Sequence, residues 1–241
     1  MDIQNAGRRQ HAVGVMLTTG WVGVDEQLGG GLSFGATHEW LGIACAQPQR
    51  SHQWTPALGV LSHLALQGMA AEQDGHGGTT RWGIWIGRAV HPYAPALVGH
   101  RASLLQRMLF IDPPDLGARL WAIDVALRCP GVVVIADASR LDMPASRRLQ
   151  LAAEQGGSIA LLARPPDEAS RLSAAMTRWS VERVAGTGAC QRWSVSLLRG
   201  KGSLAAGATG RMWMLERAND RRVVAVSPDV SDRSRATARA G

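Results

Sequence analysis

An acid at the carboxyl end of a buried strand can hold the water shell of a Mg²⁺ ion beside a bound nucleotide. Asp137 has that placement. It closes the run Gly131-Val132-Val133-Val134-Ile135-Ala136-Asp137, whose four consecutive β-branched residues leave no polar face. Such a strand must be covered on both sides, the habit of a central parallel strand in an α/β sheet. Aspartate is also a common turn residue after a strand, so Asp137 decides nothing alone. A second set of residues lies upstream. Gly42 follows an apolar strand, and Arg50-Ser51 comes eight residues later. Glycine, a cation and a hydroxyl in a strand-to-helix turn are the parts of a phosphate cradle. Here the cation is a planar guanidinium in place of a compact ammonium, and Pro48 removes one backbone N–H from the loop.

The elements that would position these groups alternate along the chain. Residues 36–42 read as the first core strand, and residues 55–69 as a helix turning Leu58, Leu61, Leu64 and Ala65 to the core. Residues 81–87 and 108–112 read as further strands. The spacing predicts a helix over 116–129, with Leu120, Ile123 and Leu127 on one side and Trp121 and Val125 widening the stripe. A second helix over 143–155 has Asp142 before it, Pro144 in its first turn and Gly156-Gly157 after it. Residues 158–163 form the next buried strand. Strands at 177–184, 191–198, 212–217 and 222–226 extend the sheet. Thr19 can cap a short helix carrying Val24 and Leu28, and Gly29-Gly30-Gly31 permits a tight turn. The predicted domains are a mobile arm over 1–18, one α/β domain over 19–226 and a disordered basic tail over 227–241.

Composition bounds the class. The chain has 241 residues, 46% apolar and 19% charged, which suits one globular domain. No apolar run is long enough to span a bilayer, and the first residues lack the apolar core of a signal peptide, so a cytoplasmic location is expected. Cys45, Cys129 and Cys190 are far apart and suggest neither a disulfide framework nor a zinc site. The net charge is +7, carried almost wholly by arginine; the only lysine is Lys201. A basic balance favours acidic partners, DNA among them, but the charge is scattered. His63, alone on a helix, reads as structural; His91 could act as a base, but nothing pairs with it in sequence. No Ser-His-Asp elbow and no paired carboxylates stand out.

The order of motifs narrows this further. The run from Thr19-Gly20 through Asp25, Leu28-Gly29-Gly30-Gly31-Leu32 and Gly35 to Glu39 and Gly42, followed by alternating helices and strands, resembles the RecA-type ATPase core. That family places its Walker A loop just after the strand, beginning at Gly42, and a water-activating glutamate after the next strand. This chain has neither the Walker A lysine nor the glutamate; Arg88-Ala89-Val90-His91 stands in the second place. With His38-Glu39-Trp40, Trp85-Ile86-Gly87-Arg88, the block over 120–166 and the run Arg192-Trp193-Ser194 to Gly200-Lys201-Gly202, the chain resembles the ImuA family, related to SulA-type division inhibitors. The resemblance covers residues 19–216. It implies a RecA-like three-layer fold, a mostly parallel central sheet with antiparallel C-terminal strands. It implies a non-catalytic role in SOS mutagenesis and translesion synthesis, in the cytoplasm and at the nucleoid after DNA damage. The partners it implies are an ImuB-like inactive Y-family polymerase homologue, an error-prone replicative-type polymerase and, as a further candidate, RecA, with DNA bound weakly or through them. Gly42, Arg50, Ser51 and Asp137 are then vestigial positions, with no catalytic residue, nucleotide, cofactor or metal expected. Arg147 and Arg148, adjacent on the helix after the central strand, are the candidate partner-binding residues. The alternatives are a SulA-like protein that binds FtsZ, and a RecA-type ATPase whose phosphate site is rebuilt from Arg50, Ser51 and Asp137.

Overall fold

The structure, a computed structural model, describes residues 15–44, 53–70, 81–92, 104–185, 191–217 and 223–226. In chain order the elements are β1 (Met16–Leu17), α1 (Val22–Leu28), β2 (Leu32–Ser33), β3 (Ala36–Leu41), β4 (Ile43–Ala44), β5 (Trp54–Thr55), α2 (Leu58–Ala70), β6 (Gly83–Ile86), β7 (Met108–Ile111), α3 (Leu116–Arg128), β8 (Val133–Asp137), α4 (Met143–Gly156), β9 (Ile159–Arg164), β10 (Thr177–Val184), β11 (Arg192–Gly200), α5 (Ser203–Gly207), β12 (Met212–Arg217) and β13 (Val223–Val226). The nine-stranded sheet runs β13-β12-β11-β10-β3-β9-β8-β6-β7. From β10 to β7 every neighbour is parallel, and β11 to β13 add antiparallel strands.

Side-chain alternation divides the core into two layers. Val133 and Ile135 of β8 face the layer containing α1 and α2, while Val134 and Ala136 face the layer containing α3 and α4. Ile159, Leu161 and Ala163 of β9 make the first layer, and Ala160 and Leu162 the second. Each fully buried Leu, Ile or Val contributes about 1.5–3 kcal/mol, so the run that reads as a two-faced strand anchors both layers. Tryptophan fills the wider first layer. Trp40 and Trp179 are cross-strand partners with stacked rings 5.1 Å apart, and Trp213 tilts onto Trp179 at 5.8 Å.

Local signals set several boundaries. Asp142 caps α4 by accepting from the Ala145 N–H, and Gly157 ends the helix with φ of 58°. Asp115 caps α3 through the Ala118 N–H. At α1 the outcome differs from a Thr19 cap. Trp21 is the N-cap residue and makes no side-chain cap, while Thr19 donates to Asp25 Oδ1 and accepts from the Trp21 N–H. The arm's end is tied down, because β1 pairs with β2 and Leu17 is buried. Residues 1–14 and the predicted tail over 227–241 lie outside the described residues. Two expectations for α3 are corrected: Trp121 and Val125 point to solvent. The helix is apolar nearly all round, so periodicity did not distinguish its inner face from its outer one.

His38 joins the centre of the sheet to the preceding turn. Its Nδ1 lies 2.7 Å from Thr177 Oγ1 and its Nε2 3.0 Å from the Ser33 carbonyl. The carbonyl fixes Nε2 as donor, so Nδ1 accepts from Thr177, whose hydroxyl in turn accepts from Trp179 Nε1. Burial pushes the imidazole down from 6.5 to about 4, against the opposing pull of the Ser33 bond. A depressed folded value means that the unfolded chain binds the proton more readily. The stabilisation is therefore full above pH 6.5 and is lost as pH falls towards 4. Urea melts should show this residue withdrawing about 2 kcal/mol of unfolding free energy between pH 7 and pH 5. An NMR titration midpoint for the His38 imidazole near its ordinary value would contradict that.

Candidate functional site

In open α/β sheets, ligands bind beyond the carboxyl ends of the strands. Asp137 is there, at the end of β8, but both carboxylate oxygens are occupied. Oδ2 is 2.5 Å from Arg119 Nη1, and Oδ1 accepts from the Ser139 N–H at 2.9 Å. Arg119 comes from the first turn of α3, where the Asp115 cap fixes the backbone, and its Nη2 also bonds the Ser139 carbonyl and hydroxyl. A bound Mg²⁺ would have to displace a fixed guanidinium. Gly87, just past β6, closes the site from the other side. Its φ is 96°, and a Cβ there would lie 3.0 Å from Asp137 Cβ and 3.5 Å from Arg119 Cδ. The next residue, Arg88, pairs with Asp112 beyond β7, with Nε 2.9 Å from Oδ2. His91 lies 3.4 Å from the Ile111 carbonyl and meets the Phe110 ring edge-on, a structural placement.

The described residues that follow β3 form an antiparallel ribbon. Gly42 donates to the Arg164 carbonyl and leads into β4, which pairs antiparallel with β5 through Ile43–Thr55 and Ala44–Trp54. A Cβ on Gly42 would meet Trp54 Cε3 at 2.4 Å and the Thr55 carbonyl at 2.6 Å. Glycine is needed here for the close approach of a crossing strand. In a phosphate loop the cation and hydroxyl open the following helix. Here the helix starts at Leu58, and Thr55 belongs to β5, which corrects the expected start at Thr55. Thr55 precedes Pro56, which disfavours the α region for it. Arg50 and Ser51 lie outside the described residues, well before the first turn of α2. Lys201 is remote from the carboxyl ends. Its backbone N–H bonds Met176, just before β10 starts, and its ammonium bonds the Ala174 carbonyl. A cavity of about 320 Å³, lined by Met16, Leu28, His38 and Thr177, also opens at that amino end.

The sequence reading missed a charge cluster. Glu39 in β3 receives Arg164 at 2.8 Å from β9 and Arg178 at 2.7 Å from β10; Arg164 also bonds Glu168 at 2.6 Å. All four side chains are buried. Burial opposes the Arg164 charge, but Glu39 and Glu168 outweigh it and hold its proton above the usual range. Glu168 also accepts from the N–H of Arg140, a non-glycine residue at φ of 63°. A lone acid inside an apolar strand was the available signal for Glu39. Arg147 and Arg148 both reach solvent from α4, and Arg148 bonds Asp124 of α3 at 3.0 Å. They stand on the outer helix layer, apart from Asp137.

The chain is similar in structure to a RadB recombinase seen by crystallography. The TM-score is 0.60 at 15% identity, over 88% of this chain and 100% of that one. No family pattern matches the sequence, and no curated protein matches it. At this identity the likeness shows the fold, which is RecA-like: α/β, with a mostly parallel sheet and antiparallel C-terminal strands. Gly42→Ala should lower the unfolding free energy by about 1–3 kcal/mol in urea melts, as overpacking does. An unchanged melt would mean that the β4–β5 ribbon does not press on this glycine.

Proposed function

We propose that this chain is a non-catalytic RecA-like accessory protein of SOS mutagenesis and translesion synthesis. It acts through contacts with an ImuB-like inactive Y-family polymerase homologue, beside an error-prone replicative-type polymerase, with RecA as a further candidate partner. DNA is reached weakly or through these partners, in the cytoplasm and at the nucleoid after damage. The observation that carries this reading is the Arg119–Asp137 pair. An arginine from the same chain occupies the carboxylate that a RecA-type ATPase would turn to its magnesium. The β4–β5 ribbon adds weight, because it separates Gly42 from the helix that a phosphate loop would enter directly. A scaffold without nucleotide chemistry still offers rigid outer helices, and Arg147 and Arg148 stand on one of them.

The test is co-elution with the ImuB-like protein of the same organism on a sizing column at moderate salt, with and without Mg-ATP. One shared peak, the same in both runs, is the expected result. A peak that forms only with ATP would contradict the non-catalytic reading. No shared peak from two folded proteins would remove the polymerase partner and favour a division inhibitor aimed at FtsZ.

A further inference from the structure

The outer side of the α3–α4 layer exposes large apolar side chains where solvent-facing helix surfaces are ordinarily polar. Trp121 is 64% exposed, Val125 42% and Leu151 47%. Trp121 and Val125 are four residues apart, so they stand one above the other on α3. The two helices run side by side in the same direction: Asp124 meets Arg148, and one turn further along α3, two along α4, Arg128 meets Gln155. Leu151 therefore lies across from Val125, and the ~100° step per residue places it between Arg147 and Arg148 around α4. The three apolar side chains flank, on the solvent face, the line where the two helices meet, the α3–α4 groove.

Positive charge predominates around this groove. Arg128, Arg147 and Arg148 reach solvent along it. Asp124 is buried and holds both Arg128 and Arg148, at 3.1 and 3.0 Å. Asp115 and Asp142 cap helix starts, which leaves Glu154, exposed three residues beyond Leu151 and accepting from Gln150, as the one solvent-facing acid against three arginines. An apolar seam flanked by arginine complements a helix with apolar residues at i and i+4 and carboxylates beside them. Single-stranded DNA would use Trp121 as a stacking platform, but it gains little from the aliphatic Val125 and Leu151.

We propose that the α3–α4 groove is a docking site for an acidic amphipathic helix of a partner protein, with Trp121 as its anchor and Arg147 and Arg148 as its charge contacts. The inference deepens the protein-binding reading above and rests on it only in taking the partner to be a protein.

The test is selection of ~20-residue helical peptides from a display library on the full chain, with counter-selection on a Trp121→Ser/Leu151→Ser variant. Both positions are exposed, and an unchanged circular dichroism spectrum and melting temperature establish that the variant is folded. The expected survivors are acidic and amphipathic, bind the native chain at least ~10-fold tighter than the variant, and weaken against Arg147→Glu. The proposal is overturned if no peptide survives, if survivors are basic or non-helical, or if oligothymidylate displaces them. Failure of the polymerase homologue to co-elute, with acidic helices selected, would remove the named pathway and leave the groove. The reverse pair of results would remove the groove alone.

Discussion

Glu39 sits at the middle of the sheet and is held by two arginines from the strands on either side. Much of the structure depends on that clamp. Leaving one partner of a buried pair unmatched costs about 3–5 kcal/mol, because the remaining charge has no water to turn to. The clamp joins β3 to β9 and β10, and through Glu168 it fixes the turn that supports Arg140. Thr37, on the same face of β3, is held by Gln150 of α4 through both its N–H and its hydroxyl. The α4 layer is therefore bonded to the sheet as well as packed on it.

The same habit governs the carboxyl end of the sheet. Glu39, Asp112, Asp137 and Glu168 are each matched to an arginine of this chain. In a RecA-type ATPase, an acid placed like Asp137 would be turned towards a magnesium ion. Here Asp137 is paired with Arg119, and Gly87 allows the close packing at that pair. The outside of the helix layer carries both arginines and exposed apolar side chains. A rigid sheet serves such a surface well, because it presents the two helices at a fixed spacing.

The sequence carried the core in readable form. The run ending at Asp137 has no polar face and became β8, an interior parallel strand between β9 and β6 that is buried along its whole length. Asp142 and Gly157 bracket α4 through a side-chain cap and a left-handed residue, both local signals. The pairs at the carboxyl end were not readable, because they are made by the fold. Arg119 reaches Asp137 only once α3 has packed beside β8, and Arg178 reaches Glu39 across 139 residues of chain. The β4–β5 ribbon was hidden for a similar reason: two-residue strands leave no periodicity to read. Trp121 was placed inwards because a helix with apolar residues around most of its girth does not show which face meets the sheet.

The central claim is that the carboxyl end of this RecA-like sheet is closed by its own arginines. Isothermal titration of Mg-ATP into the full-length chain tests it most directly. The account expects no saturable heat from the native protein. Saturable binding that disappears in Asp137→Ala would contradict it, since the aspartate would then be serving a magnesium ion rather than Arg119.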